Sequence, residues 1–160
     1  MEKILISACL LGNPVRFDGG AKTQDHPKLS LWKEEGRFIL QCPEIAGGLS
    51  VPRPAAEIQQ HHEALRIETN TGVDVTQEFL LGAKKSLELC QQHNIKIAIL
   101  KESSPSCGST TVHDGNFIGN KIPGEGVTTK LLREHGIQVF SENTIDEAAT
   151  AITMLESQAG

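Results

Sequence analysis

Short apolar runs alternate with longer amphipathic stretches along the chain. Runs of this length without polar alternation are typical of strands covered on both faces, as in a parallel sheet. They predict strands at residues 3–8, 37–41, 95–100 and 138–140. Helical periodicity with cap and stop signals predicts helices at residues 27–36, 76 to about 93, 126–135 and 144–156. This alternation predicts an α/β fold of the Rossmann or flavodoxin type, with a mostly parallel sheet flanked by helices.

The segment before the third predicted strand carries a turn signal and a long amphipathic helix. Residues 65–69 and 73–75 predict a small hairpin insertion across Asn70-Thr71-Gly72. Thr76 is the predicted cap of the helix that follows. The apolar face of that helix, at 3.6-residue spacing, consists of Phe79, Leu80, Ala83, Leu87 and Cys90. We therefore interpret Cys90 as a core residue.

Composition narrows the classes of protein to consider. The chain has 160 residues, 38% of them hydrophobic, and we expect residues 1–160 to form a single domain with its own core. No apolar run approaches the roughly 20 residues of a membrane span, and the short, acidic first segment does not fit a secretory signal. We therefore expect a cytoplasmic protein with no membrane partner. A net charge of -5 and the lack of tyrosine argue against nucleic acid as a partner. The sequence does not indicate an oligomeric state.

Three of the four cysteines follow predicted strands directly or within a few residues: Cys9, Cys42 and Cys107. Ligands of α/β sheets bind at the carboxyl ends of the strands, so these thiols are candidates for one shared metal site. Their spacing matches neither the paired C-x-x-C of zinc ribbons nor a ferredoxin run. Position alone therefore also allows three separately packed thiols, and His113 near Cys107 is an alternative ligand.

Four motifs surround these cysteines: "SACLLGNPVRFDGG", "CPEIAGGLSVPRP", "ESSPSCGS" and "IPGEGVTTKLLREHGI". In this order, over residues 4 to about 140, they resemble a family of short bacterial proteins, first described as a domain of unknown function. Its characterised member is an iron–sulfur-dependent thiouracil desulfidase. The resemblance implies a [4Fe-4S] cluster held by Cys9, Cys42 and Cys107, with one iron left open for the substrate sulfur. It further implies non-redox hydrolysis of a C–S bond, converting a small thiolated pyrimidine to uracil and sulfide.

Such chemistry needs groups that move protons and orient a ring. Glu44 is the first candidate acid or base, because a carboxyl beside thiolates in an apolar setting has a raised pKa. Asp18 is the second, although Asp-Gly pairs also form simple Asx turns. Ser103 and Ser106 could orient the ring through uncharged hydroxyls, or could merely satisfy turn amides. Arg53 could pair with Glu44 or hold a substrate oxygen.

Other readings of the sequence remain open. A non-catalytic iron–sulfur or zinc protein, such as a sensor or metal carrier, would use the same cysteines. An enzyme that takes sulfur on Cys107 as a persulfide would need only one. The G-x-x-x-x-G at residues 119–124 is followed by Glu125 rather than Lys, which excludes a nucleotide-binding loop. The amides at the start of the next helix could meet an anion or a pyrimidine carbonyl, or simply begin the helix.

Overall fold

The computed structural model describes residues 1–60 and 63–159 of the protein. Within these residues, the strands are β1 (Ile4–Ser7), β2 (Phe38–Gln41), β3 (Ala56–Ile58), β4 (Ile67–Thr69), β5 (Ile97–Leu100), β6 (Thr111–His113), β7 (Lys121–Pro123) and β8 (Gln138–Ser141). The helices are α1 (Pro27–Glu34), α2 (Pro43–Ala46), α3 (Thr76–Gln92), α4 (Val127–Glu134) and α5 (Ile145–Ala159), with a short 3-10 helix at Ala8–Leu11.

The central sheet has four strands in the order β2-β1-β5-β8. Every neighbouring pair is parallel; Leu5 of β1, for example, lies between Ile39 of β2 and Ala98 of β5. This confirms the predicted α/β fold and all four predicted strands, which the structure shortens or extends by one or two residues. The chain runs from β1 outward to β2 and then returns to the other side of β1 for β5. The strand order therefore reverses between β1 and β5, which is where α/β sheets bind ligands.

Both faces of this sheet are covered, which explains why the strand sequences are apolar without alternation. Successive side chains of a strand point to opposite faces. Ile4 and Ile6 belong to a buried cluster with residues of α1 and α5. Leu5 belongs to the opposite cluster, which includes Cys90 of α3 and Leu132 of α4. The core position of Cys90 is thus confirmed, since its side chain is 1% exposed.

The predicted hairpin is present. The Thr69 amide donates to the Val73 carbonyl and the Val75 amide to the Ile67 carbonyl, both at 2.9 Å. The sequence missed a further pairing on the other edge of β4. β4 pairs antiparallel with β3, a segment for which the sequence predicted no strand. Residues 73–75 contribute a single bridge, between Glu68 and Asp74, after the turn at Gly72. Tertiary packing decides the pairing, because Ala56 and Ile58 of β3 pack on a buried cluster that contains residues of α3 and β4.

The start and the buried face of α3 also differ from the prediction. The Thr76 side chain does not cap the helix; its hydroxyl accepts a hydrogen bond from the Ile67 amide at 2.8 Å. The amide of Thr76 instead donates to the Asp74 carboxylate at 2.9 Å. Leu80 is 40% exposed, whereas the neighbouring Phe79 is buried. No helix in the described part of the chain is long and apolar enough to cross a membrane.

Candidate functional site

A cavity of about 470 Å³ opens at the carboxyl ends of β1, β2 and β5. Cys9, Cys42 and Cys107 all line it, so the sheet brings the three predicted thiols to one space. Cys90 is not among the lining residues. The four thiols are free, and Cys9 and Cys107 are almost completely buried.

Cys9 and Cys42 sit at the first turns after their strands. Cys9 lies in the 3-10 helix that follows β1 without a break and ends at Gly12, whose φ of 98° suits glycine. Cys42 is the N-cap residue of α2, and Pro43 starts that helix with its φ already set. The Cys42 sulfur lies 3.8 Å from the Val15 carbonyl oxygen. Both positions follow from local sequence, because a turn has to begin where each strand ends.

The loop that carries Cys107 is held on one side by the start of α4. The amides of Gly126, Val127 and Thr128 donate to the carbonyls of Gly108, Pro105 and Ser106 at 2.8 to 2.9 Å. A Cβ atom on Gly126 would lie 2.3 Å from the Ser106 carbonyl carbon, so only glycine permits this approach. The first amides of α4 therefore bind the cysteine loop, which explains why the "IPGEGVTTK" motif accompanies the cysteines.

The same loop is held on its other side by Glu102. One oxygen of its buried carboxylate accepts the amides of four loop residues at 2.8 to 3.1 Å: Ser103, Ser109, Thr110 and Thr111. The other oxygen accepts the Ser109 hydroxyl. Burial alone would raise the pKa of Glu102, but these hydrogen bonds together lower it to about 2. Glu102 is therefore ionised at neutral pH, and the cysteine loop folds around its carboxylate.

Ser7 connects the two central strands to the site. Its hydroxyl accepts the Lys101 amide at 2.9 Å and lies 3.9 Å from the Cys107 sulfur, to which it can donate. The Lys101 ammonium lines the cavity and pairs with Glu142 at 2.8 Å. Lys101 is thus a cavity residue. Ser7 is the first residue of the "SACLLGNPVRFDGG" motif, whereas Glu142 lies outside the four motifs.

The three thiols have raised pKa values. Burial is the main cause for each; it brings the pKa of Cys9 to about 11 and that of Cys107 to about 12, and it also raises that of Cys42. Cys42 raises the pKa of the other two further, because neighbouring thiolates would repel one another. Metal binding would replace these protons, since thiolates are the binding form.

The donor set fits a cluster better than a single ion. In residues 1–60 and 63–159, no group of three or more His, Cys, Asp or Glu side chains is placed to hold one metal ion. A cluster distributes its thiolate ligands over separate irons, so the ligands need not converge on one point. Three cysteines around one cavity therefore fit an iron–sulfur cluster, whose irons thiolates bind.

Glu44 lies in the first turn of α2 and lines the cavity. Its carboxylate is 3.2 Å from the Arg53 guanidinium, and Arg53 also donates to the Val15 carbonyl at 3.1 Å. Burial raises the pKa of Glu44, and the Arg53 charge opposes that rise. Arg53 is therefore engaged in pairing with Glu44, the structural alternative left open by the sequence.

Two predicted site residues do not line the cavity. The Asp18 carboxylate accepts the Gly20 amide at 2.8 Å, which is the Asx turn that the sequence left open. Ser106 is fully buried, and its hydroxyl bonds the Thr128 hydroxyl at 2.7 Å. Ser106 therefore helps to attach the cysteine loop to α4. These contacts give neither residue a direct path to a molecule in the cavity.

Ser103 and Ser104 do line the cavity. Ser103 has a φ of 72°, a left-handed conformation that is rare for residues other than glycine and is often found at functional sites. Its hydroxyl bonds that of Thr111 at 2.9 Å. The Ser104 hydroxyl accepts the Cys107 amide at 2.7 Å, which leaves its proton free to donate into the cavity. Sequence reasoning noted the serine cluster but selected Ser106 in place of Ser104.

The fold and the cavity together define an α/β protein with a three-thiol site at the switch point of a parallel sheet. The chain belongs to the 2-thiouracil desulfurase family, whose family model matches residues 4–144. It is similar to the protein YbbK of Bacillus subtilis (strain 168), at 39% identity over 150 residues that cover 90% of this chain and 98% of YbbK. It is also similar to the solved structure of the [4Fe-4S]-dependent thiouracil desulfidase TudS. That similarity has 50% sequence identity and a TM-score of 0.91, over 96% of this chain and 99% of TudS.

Proposed function

We propose that this protein is a [4Fe-4S]-dependent thiouracil desulfidase that hydrolyses the C–S bond of a small thiolated pyrimidine. Water supplies the oxygen that replaces sulfur on the ring carbon, and sulfur leaves with the two protons of that water as hydrogen sulfide. No electron is gained or lost, so the reaction needs no reductant. The observation that carries the proposal is the meeting of Cys9, Cys42 and Cys107 on one cavity, in a chain of the desulfurase family.

We assign the cluster to Cys9, Cys42 and Cys107. When bound by three protein thiolates, a [4Fe-4S] cluster supplies one iron as a Lewis acid for the substrate sulfur. The chain prepares the ligands before binding, since the Cys107 loop is fixed between Glu102 and α4. Ser7 can donate a hydrogen bond to the Cys107 sulfur, an interaction of the kind that tunes cluster thiolates.

Glu44 is the proposed acid and base. As a base it takes a proton from the attacking water, and as an acid it gives that proton to the departing sulfur. The second proton of the water passes to sulfur by the same route when the new ring hydroxyl becomes a carbonyl. Burial raises its pKa, the direction that favours proton transfer by a carboxyl group. Arg53 positions the carboxyl through the 3.2 Å contact and two bonds to backbone carbonyls, those of Ser50 and Val15. Asp18 has no role in this proposal because its carboxylate is used in a turn.

The serine hydroxyls are proposed to orient the ring. Ser104 can donate to the exocyclic oxygen, because its hydroxyl accepts from the Cys107 amide and keeps its own proton free. Ser103 lies beside it, with a hydroxyl that can exchange donor and acceptor roles with Thr111. Ser106 is left out, since its hydroxyl is buried against Thr128.

We further propose that residues 1–160 form one desulfidase domain, supported by the family match over residues 4–144. A cytoplasmic location is proposed on the chemistry of the four free cysteines, because thiols persist in a reducing compartment.

The test is reconstitution without oxygen. We expect about four irons and four acid-labile sulfides per chain, together with sulfide release from thiouracil in the absence of any reductant. A brown protein that leaves thio-bases untouched would favour the sensor or carrier alternative. A colourless protein that converts thiouracil to a pyrimidinone with hydrogen in place of sulfur, and releases sulfide only after a thiol is added, would favour a persulfide mechanism on Cys107.

A further inference from the structure

His113 is a cavity residue for which the proposed mechanism has no use. It is the last residue of β6, whose sequence predicted no strand. Because side chains alternate along a strand, Thr111 and His113 share one face, and that face contacts Ser103. Val112, between them, is buried on the other side. The strand therefore aims His113 at the wall that carries the serines.

One nitrogen of the imidazole is fixed by the backbone. Nδ1 lies 3.1 Å from the Ser103 carbonyl oxygen. A carbonyl only accepts hydrogen bonds, so Nδ1 carries the proton of the neutral ring and Nε2 presents a lone pair. Ser103 is itself held at its amide by Glu102 and at its hydroxyl by Thr111, so the imidazole is attached to a fixed support.

Nε2 is an acceptor on the cavity wall with no partner of its own in the described part of the chain. No side chain or backbone group of the described residues forms a hydrogen bond with Nε2. The three carboxylates of the lining each have partners already: Glu44 pairs with Arg53, Glu102 accepts loop amides, and one oxygen of Glu57 accepts the amides of Gly115 and Phe117. The remaining charged groups of the wall are lysines and arginines, which only donate.

A thiolated pyrimidine needs such an acceptor. Its oxygen and sulfur accept hydrogen bonds, but its ring nitrogens carry protons that must be donated. We propose that His113 is a specificity-determining residue whose Nε2 accepts a ring N–H of the substrate. The inference rests on the proposed function for the identity of the ring. It predicts selection for an unsubstituted ring nitrogen, because an analogue without that N–H leaves Nε2 unpaired.

The test measures binding separately from turnover. Calorimetry on the cluster-loaded protein would compare uracil with 1-methyluracil and 3-methyluracil, and kinetics would compare 2-thiouracil with its two N-methyl derivatives. We expect the wild type to bind uracil about tenfold or more tightly than one of the two methyl isomers. His113→Ala should weaken uracil binding about tenfold and reduce that preference to about twofold or less. KM for thiouracil should rise while kcat changes little, since the contact is made equally in the ground state and transition state.

Two further variants separate recognition from folding. His113→Gln should recover part of the uracil affinity, because its amide oxygen can accept. His135 is the matched control, since its Nδ1 also bonds a backbone carbonyl, that of Leu131 at 2.9 Å, but the residue is exposed and lies outside the cavity lining. His135→Ala should keep wild-type affinity and preference.

The results decide between the two proposals. Uracil affinity of His113→Ala within twofold of the wild-type value would overturn the role of His113. Two results for the wild type would also overturn it: equal binding of uracil and both methyl isomers, or no binding of uracil at all. If the wild type binds uracil selectively but releases no sulfide from thiouracil, the proposed function fails while His113 is still tested by the binding data.

Discussion

At the scale of single residues, the environment of a thiol decides its role more than its burial does. Cys90 and Cys107 are both almost fully buried, and burial raises the pKa of each to about 12. Cys90 is surrounded by apolar side chains of its cluster. Cys107 instead lines the cavity, where Ser7 lies near its sulfur and Ser104 bonds its amide. Only the second environment offers polar groups and space for a ligand.

Replacing these two cysteines should therefore have opposite consequences for the cofactor. Cys107→Ala removes a proposed cluster ligand and should lower iron per chain to below a third of the wild-type content after anaerobic reconstitution. Cys90→Ala should keep its iron, with a stability loss of about 1 kcal/mol from the lost packing. Assays of iron and acid-labile sulfide measure the cluster content of each variant. Equal iron loss in the two variants would refute the ligand assignment.

Glu44 should matter for turnover and not for cofactor content. Glu44→Gln keeps the shape of the side chain and a hydrogen bond from Arg53, but it cannot accept a proton. We expect kcat to fall about 10² to 10⁴-fold, the usual contribution of a general acid or base, while the visible spectrum of the cluster stays as in the wild type. Asp18→Asn is the control, and its kcat should stay within about twofold of wild type because Asn also forms the turn. If Asp18→Asn lost most of its kcat and Glu44→Gln did not, Asp18 rather than Glu44 would be the acid and base.

At the scale of elements, the Cys107 loop is built between an anion and a helix start. Glu102 accepts loop amides, and the first amides of α4 donate to loop carbonyls. This arrangement satisfies the backbone of a buried turn that has no strand or helix of its own. The loop can therefore present its cysteine and serines without rearranging when a ligand enters.

The Glu102 carboxylate should contribute acid-sensitive stability. Its pKa falls from an ordinary 4.5 to about 2 in the folded chain, so its contribution is present above pH 4.5 and is lost as the pH drops towards 2. Glu102→Gln should lower the free energy of unfolding at neutral pH by on the order of 2 to 3 kcal/mol. Urea titrations of the cluster-free protein would measure the free energy of unfolding at several pH values. Between pH 4.5 and 2, this free energy should fall less in the variant than in the wild type.

A second readout ties Glu102 to the cysteine loop. Glu102→Gln should bind less iron than the wild type, because the loop loses the charge that orders its amides. Glu57→Gln is the matched control, since Glu57 is an equally buried carboxylate that accepts the Gly115 and Phe117 amides of another loop. Full iron content in Glu102→Gln, with the same stability loss, would limit Glu102 to a general structural role.

The helix side of the loop has its own test at Gly126. A Cβ atom there would meet Ser106 and the Cys107 amide at 2.3 to 2.6 Å, all backbone atoms that cannot turn away. Gly126→Ala should therefore displace the cysteine loop, lowering both iron content and the melting temperature. At Gly124, the nearest atom is a Val112 methyl group at 3.1 Å, which a side-chain movement can relieve. Gly124→Ala should consequently keep most of its iron, and the same iron loss in both alanine variants would contradict the steric argument.

At the scale of the whole molecule, the strand order makes the site. Cys9, Cys42 and Cys107 follow β1, β2 and β5, which are neighbours in the sheet although almost a hundred residues separate the first thiol from the last. A bound cluster would link the three segments that follow β1, β2 and β5. Without the cluster, these segments are held together by the packing of the sheet and its core. Binding to the folded state alone stabilises it.

Removing the cluster should therefore lower the melting temperature of the whole protein. We expect anaerobic chelation of iron to reduce it by about 5 to 10 °C, which corresponds to a few kcal/mol for a chain of this size. Cys42→Ser, which should not load the cluster fully, serves as the control and should show little change on chelation. An unchanged melting temperature in the wild type would show that the cluster does not connect these segments.

The sequence by itself determined the elements whose signal is long or strongly apolar. The four strands of the central sheet and the helices between them follow from apolar runs and helical periodicity, which are local properties. β3, β6 and β7 have three residues each, too few for a pattern, and each forms because a partner strand is placed beside it.

For the site, the sequence determined which thiols follow strands, and the motifs around them carried the resemblance to a desulfidase family. Only the tertiary structure decided that Glu102 and the start of α4 hold the Cys107 loop, and that His113 faces the serine wall. It also showed that Ser104 lines the cavity whereas Ser106 does not, and that the Asp18 carboxylate forms a turn with the Gly20 amide. The physical reason is that a side chain's partners lie in other segments, so hydrogen bonding and burial are fixed only when the strands are placed next to one another.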